Sequence, residues 1–218
     1  MKINNIETVH RDICHLGEGP VWNWQKQKLL WTDIYNRRIW VFDPANLNST
    51  VFWSGNYQVG GFAFTRTGNM VLCTDKGVFL QILNTEGCPE GEPELLFEIP
   101  LGKNEMFNDI TVDPEGRIFA GTLTRPDFKG GTLYRLEKGK KPEVVLTGLY
   151  CSNGMTFSLD QKYFFHTDSR VHRITKYKYD RETGNISSPE IYFQGNEEMG
   201  SPDGITLDSQ DHIWAAFW

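Results

Sequence analysis

Two carboxylates and two carboxamides stand at one place in a repeating pattern along this chain: Glu18, Asn108, Asn153 and Asp203. Each precedes a glycine or an aspartate, in the pairs Glu18-Gly19, Asn108-Asp109, Asn153-Gly154 and Asp203-Gly204. Four such oxygen-bearing side chains converging on one point make a hard site for calcium, magnesium or manganese. Taken one at a time, Asn-Gly and Asp-Gly are also the commonest turn signals. What separates the two readings is whether the residues share a spacing.

They do. Five segments repeat one pattern: GEGPVWNWQKQKLLWTDI from Gly17, GGFAFTRTGNMVLCTD from Gly60, NDITVDPEGRIFAGT from Asn108, NGMTFSLDQKYFFHTDS from Asn153 and DGITLDSQDHIWAAFW from Asp203. Alignment places Glu18, Gly60, Asn108, Asn153 and Asp203 in one column, at intervals of 42, 48, 45 and 50 residues. The neighbouring column is Gly19, Gly61, Asp109, Gly154 and Gly204, and its glycines let the backbone approach a common axis. A polar column facing a channel needs partners, and a metal is the economical one.

Each repeat reads as strands. Ile110-Thr111-Val112 alternates, Asp113-Pro114-Glu115-Gly116 makes a tight turn, and residues 117–121 and 131–136 supply further strands. Residues 171–179 alternate again, and residues 180–184 close a hairpin. No helix-period segment exceeds two turns. A period near 45 residues with four strands per unit predicts an all-β, six-bladed β-propeller; a β-sandwich would lack the aligned column. The 218 residues hold about four and a half such units, whereas six need on the order of 280. The expectation is one propeller domain over residues 1–218 with C-terminal blades missing.

Composition narrows the function classes. The chain has 22 Lys+Arg against 28 Asp+Glu, a net charge of -6, with no basic run, which argues against nucleic acid. No stretch approaches the ~18 apolar residues of a membrane span, and the opening residues lack a signal-peptide core. Cys14, Cys73, Cys88 and Cys151 have no paired short spacing and read as reduced thiols, so a cytoplasmic protein is expected. Fourteen Phe, 8 Tyr and 7 Trp with 21 Gly fit short strands and tight turns. Trp22, Trp24, Trp31 and Trp40 are expected to pack between blades.

The strings GEGPVW, FNDITVDPEGRIFAGT, SNGMTFSLD and SPDGITLD resemble the senescence marker protein/gluconolactonase (regucalcin-like) family, over residues 17–218. The resemblance implies a six-bladed propeller, one divalent metal in the central channel, and hydrolysis of a small sugar lactone. It places the metal on Glu18, Asn153 and Asp203, and the substrate on Asn108 and Asp109. Calcium is the first choice, with zinc, magnesium, manganese or iron as others. Many members carry an arginine two positions before the substrate-contacting asparagine; here Met106 occupies that substrate-binding position, and Arg125, in a lid-like loop, is the nearby replacement. Asp203 is the expected general base, with metal-bound hydroxide as the rival source of the nucleophile. A phosphotriesterase-like hydrolase and a non-catalytic calcium-binding propeller are the alternatives. His166 and Asp168 lie on one face of a strand and read as a buried couple; His10, His15, His172 and His212 read as solvated.

Overall fold

Short segments of four to nine residues, broken by Gly, Pro, Asn and Asp, pair most readily with what immediately follows them, and the strands do so throughout. The computed structural model describes residues 14–218, together with residue 8. The first sheet contains β1 (Gly17–Asn23), β2 (Lys28–Asp33), β3 (Arg38–Asp43) and β4 (Asn48–Ser54). The second contains β5 (Val59–Phe64), β6 (Met70–Thr74), β7 (Gly77–Gln81) and β8 (Glu94–Phe97). The third contains β9 (Glu105–Val112), β10 (Ile118–Thr124), β11 (Gly131–Leu136) and β12 (Glu143–Leu149). The fourth contains β13 (Ser152–Phe157), β14 (Tyr163–Asp168), β15 (Arg173–Tyr179) and β16 (Ile186–Gln194), and β17 (Pro202–Leu207) pairs with β18 (Ile213–Phe217). Every pairing is antiparallel and joins consecutive strands. Two single turns of 3-10 helix, Ser169–Val171 and Glu197–Met199, complete the elements. Among the described residues, no helix is long and apolar enough to cross a membrane.

The leading strands β1, β5, β9, β13 and β17 lie side by side in chain order. This is a β-propeller with the first strand of each sheet innermost. Its core is divided among the gaps between neighbouring sheets. Leu30, Ile39, Trp53, Phe62 and Leu72 fill the first gap. Cys73, Val78, Phe107, Ala120 and Leu136 fill the second, and Phe119, Leu133, Met155 and Phe164 the third. Each large side chain so buried contributes about 1.5–3 kcal/mol. The tryptophan expectation needs correction at Trp22 and Trp24. Trp53 is the buried tryptophan and donates to Gln81 Oε1 at 3.0 Å, while Trp22 and Trp24 are exposed. Trp24 lies in the turn beyond β1, where no neighbouring sheet covers it.

The inner strands meet backbone to backbone. A Cβ on Gly60 would lie 2.0 Å from Phe107 O, and one on Gly154 would lie 2.3 Å from Ile205 N and 2.5 Å from Asp203 O. The glycines therefore serve strand-to-strand contact as well as approach to an axis. Gly154→Ala is expected to force β13 and β17 apart and cost about 1–3 kcal/mol, the usual penalty of overpacking. Urea unfolding of the variant against the wild type measures it.

A buried ionic knot ties the third sheet to the fourth. Arg117 Nε donates to Asp113 Oδ2 at 2.5 Å, and Arg117 Nη2 donates to Tyr179 OH at 3.0 Å and to Arg181 O at 2.5 Å. Tyr179 OH in turn donates to Asp113 Oδ2 at 2.8 Å.

Candidate functional site

The repeated column is a β-bulge. In each inner strand the register slips there: between Glu18 and Val21, Val59 and Gly61, Ser152 and Met155, and Pro202 and Ile205. In the third sheet Phe107 pairs with Thr122 and Ile110 with Ala120, so Asn108 and Asp109 together oppose Gly121. A bulge bends the strand and re-aims its side chains. The turn reading of Asn153-Gly154 and Asp203-Gly204 fails, because both pairs lie within strands.

The bulges bring Glu18, Asn108, Asp109, Asn153 and Asp203 onto one cleft of about 710 Å³. Asn108 Nδ2 donates to Ser152 O at 3.0 Å and to Asn153 Oδ1 at 3.2 Å. Asn153 is buried, and its Nδ2 donates to Ser169 Oγ at 3.0 Å, whose hydroxyl donates to Pro202 O at 2.6 Å. The two carboxamides are thereby fixed in orientation by neighbouring inner strands. Burial, then repulsion from Asp203 and Asp109, pushes the Glu18 carboxyl up to about 7, with Arg125 pulling it down. Burial pushes Asp109 up to about 6 against its bond from Ile110 N, with Asp203 adding to the rise. Asp203 is also raised by burial, with the Gly204 amide and Asn153 opposing. Glu18 and Asp203, which burden one another, with the carboxamide of Asn153 beside them, make a hard, negative donor set of the kind that fits a divalent cation. Among the described residues, no three His, Cys, Asp or Glu suffice alone as a metal cluster. The set depends on its asparagines.

Aspartates at the ends of the second strands hold the segments that lead into the inner strands. Asp33 Oδ1 accepts from His15 N at 2.9 Å and Leu16 N at 3.2 Å, and Asp75 Oδ1 accepts from Gln58 N at 2.9 Å. Asp168 accepts from Cys151 N at 2.9 Å and Tyr150 N at 3.1 Å. Each latches the residues just ahead of β1, β5 or β13. The repeated Thr-Asp pairs at Thr32-Asp33, Thr74-Asp75 and Thr167-Asp168 were the available signal. Ser169, which orients Asn153, follows the last of them.

The remaining expected positions fall differently. Met106 is 4% exposed in an apolar cluster with Ile34, Leu123 and Cys151, so packing holds it. It borders a second cleft of about 850 Å³ that Arg125 also lines. Arg125 lays its guanidinium over the Tyr35 ring at 5.1 Å. His166 Nε2 bonds Ser152 Oγ at 2.8 Å, while Asp168 is engaged by the backbone as above, so the two are buried together but spend their hydrogen bonds on other partners. His15 and His212 are exposed, and His172 is half-buried with Nδ1 at 3.0 Å from Gly200 O. His10 lies outside the described residues. All four cysteines are free.

Burial depresses the His166 pKa to about 4, with Asp168 opposing. The unfolded chain, titrating near 6.5, then binds the proton first. His166 therefore costs nothing above pH ~6.5, and stability falls as pH drops from there toward pH ~4. Between about pH 7 and about pH 5 the wild type should lose about 2 kcal/mol more than His166→Asn, read from urea midpoints at the two pH values.

The SMP-30/Gluconolactonase/LRE-like region model matches residues 16–218. The pentonolactonase XacC of Haloferax volcanii is 33% identical over 211 residues, covering 94% of this chain and 67% of that protein. Regucalcin of Sus scrofa is 32% identical over 224 residues, covering 97% of this chain and 71% of that protein. Among solved structures, a calcium-binding protein, regucalcin, from Agrobacterium tumefaciens superimposes with a TM-score of 0.86 at 25% identity, covering 96% of this chain and 70% of that one. With the model matched across nearly the whole chain and its motifs lying on the bulged inner strands, this chain belongs to the SMP-30/gluconolactonase/LRE-like family.

Proposed function

We propose that this protein is a metal-dependent hydrolase that opens a small sugar lactone, as a single β-propeller domain. The observation that carries the reading is the convergence of Glu18, Asn108, Asp109, Asn153 and Asp203 on one cleft, in a chain whose relatives include a named pentonolactonase. Glu18, Asn153 and Asp203 would hold the cation, calcium before zinc, magnesium, manganese or iron. When bound, it polarises the lactone carbonyl and offsets the negative charge that develops on it. Asp203 accepts the proton of the attacking water at its carboxylate. Asn108 and Asp109 orient substrate hydroxyls, with Asn108 braced by its bond to Ser152 O. Arg125 supplies a donor at the rim in place of Met106, whose side chain is taken up in packing. Free thiols fit the cytoplasm as the compartment.

The test is turnover of an aldonolactone panel, read by proton release, with and without chelator, alongside metal content of the purified protein. Turnover that a chelator abolishes and a divalent cation restores is expected. Metal binding with no turnover of any lactone would favour the calcium-binding scaffold, which the calcium-binding description of the Agrobacterium tumefaciens relative keeps in view. Hydrolysis of phosphotriesters in preference to lactones would favour the phosphotriesterase-like reading.

A further inference from the structure

Two arginines stand near the site, and among the described residues neither has an anionic partner. Arg125, following β10, sits over Tyr35 and also 6.0 Å from the Phe128 ring centre. Arg170, in the 3-10 turn after β14, sits 4.2 Å from the centre of the same Phe128 ring. Among the described residues, neither forms an ion pair with a carboxylate. Among the described residues Arg125 Nε is enclosed and has no hydrogen-bond partner, although its own backbone is fixed by Arg125 N donating to Asn104 O at 3.0 Å. An enclosed donor left unused is costly in a finished fold, and a ligand is one thing that satisfies it. Both guanidinium groups rest against aromatic rings rather than carboxylates, and a guanidinium has the fork of N–H donors that matches a carboxylate, sulfonate or phosphate.

The location matters as much as the chemistry. Arg170 directly follows Ser169, which orients Asn153. Arg125 shares a cleft with Met106, two residues from Asn108. The donor set is acidic and, by itself, repels anions, so a paired cationic rim changes which molecules can approach it. We infer that Arg125 and Arg170, joined through Phe128, form a binding site for an anionic substituent, which makes the preferred substrates acidic sugar lactones bearing a carboxylate, sulfonate or phosphate remote from the ring carbonyl. The word lactone rests on the proposed function above; the anion site does not.

Calorimetric titration of the metal-loaded protein with anhydroglucitol and anhydroglucitol phosphate compares two unreactive rings that differ in the anion. The phosphate is expected to bind roughly 10- to 100-fold more tightly, the scale of a charge-assisted pair. The preference should shrink in Arg125→Gln and in Arg170→Gln, and circular dichroism checks that each is folded; Arg170 is exposed, so its variant keeps the fold. Equal affinity for the two rings, or a preference that survives both substitutions, overturns the inference. Turnover of gluconolactone and phosphogluconolactone is measured in parallel. Failure of both lactones with the Arg-dependent binding preference intact removes the lactonase reading and leaves the anion site standing.

Discussion

Asp203→Asn should lower kcat by roughly 10²–10⁴ at saturating metal, the usual range for removing a general base. The change keeps the size of the side chain and one oxygen donor. It removes the charge and the proton acceptor from a strand whose bulge, between Pro202 and Ile205, aims position 203 into the cleft. Metal affinity should fall as well, since one anionic donor is gone, so bound metal must be quantified in the same samples. Asn108→Ala should behave differently, raising KM and lowering kcat while most of the metal stays bound. Because Asn108 Nδ2 also donates to Asn153 Oδ1, some loosening of the metal is expected there, smaller than in Asp203→Asn. Near-full kcat for Asp203→Asn at saturating metal would leave Asp203 as a ligand only and hand the proton to another group.

Arg117→Met should cost about 3–5 kcal/mol, the price of stranding a buried carboxylate. The Arg117 and Asp113 side chains are 6% and 0% exposed, and the substitution leaves Asp113 with Tyr179 OH and its own turn amides but no counter-charge. It also frees Arg181 O and Glu182 O, which Arg117 caps on the fourth sheet. Against a typical total of 5–15 kcal/mol, the loss is a large fraction of stability. Urea unfolding gives the figure, and a second variant sharpens it: Asp113→Asn together with Arg117→Met should recover part of the loss, because the orphaned charge is gone. If Arg117→Met shifts the urea midpoint by less than about 1 kcal/mol of stability, the knot is not a junction between the sheets.

The propeller was legible because a repeat of 42 to 50 residues aligns both the strands and the polar column. The same column brought out Glu18, Asn108, Asn153 and Asp203, which share a cleft in the structure. What the sequence concealed was the local geometry. A bulge has no side chain of its own to announce it; the Gly or Asp at its second position looked like turn chemistry because both conformations draw on the same residue types. Arg125 was readable as a loop charge, yet its stacking on Tyr35 depends on residues 90 positions apart coming together. Met106 showed the converse: the family resemblance suggested substrate contact two positions before Asn108, and apolar packing with Ile34, Leu123 and Cys151 encloses it. The Thr-Asp latches were visible as repeats, but their partners are backbone amides, which carry no sequence signature.

Each sheet is a meander of consecutive strands, so its ladders form between near neighbours in the chain, the kind of contact that closes early in folding. The donor set has the opposite character. Glu18 and Asp203 are 185 residues apart and meet only when separate meanders have stacked. The cleft is thus a product of assembly, with no existence in any one sheet. Whatever binds across it and not to the separated sheets acts as a fastener between them, adding about 2.7 kcal/mol to stability at a concentration of roughly 100 Kd.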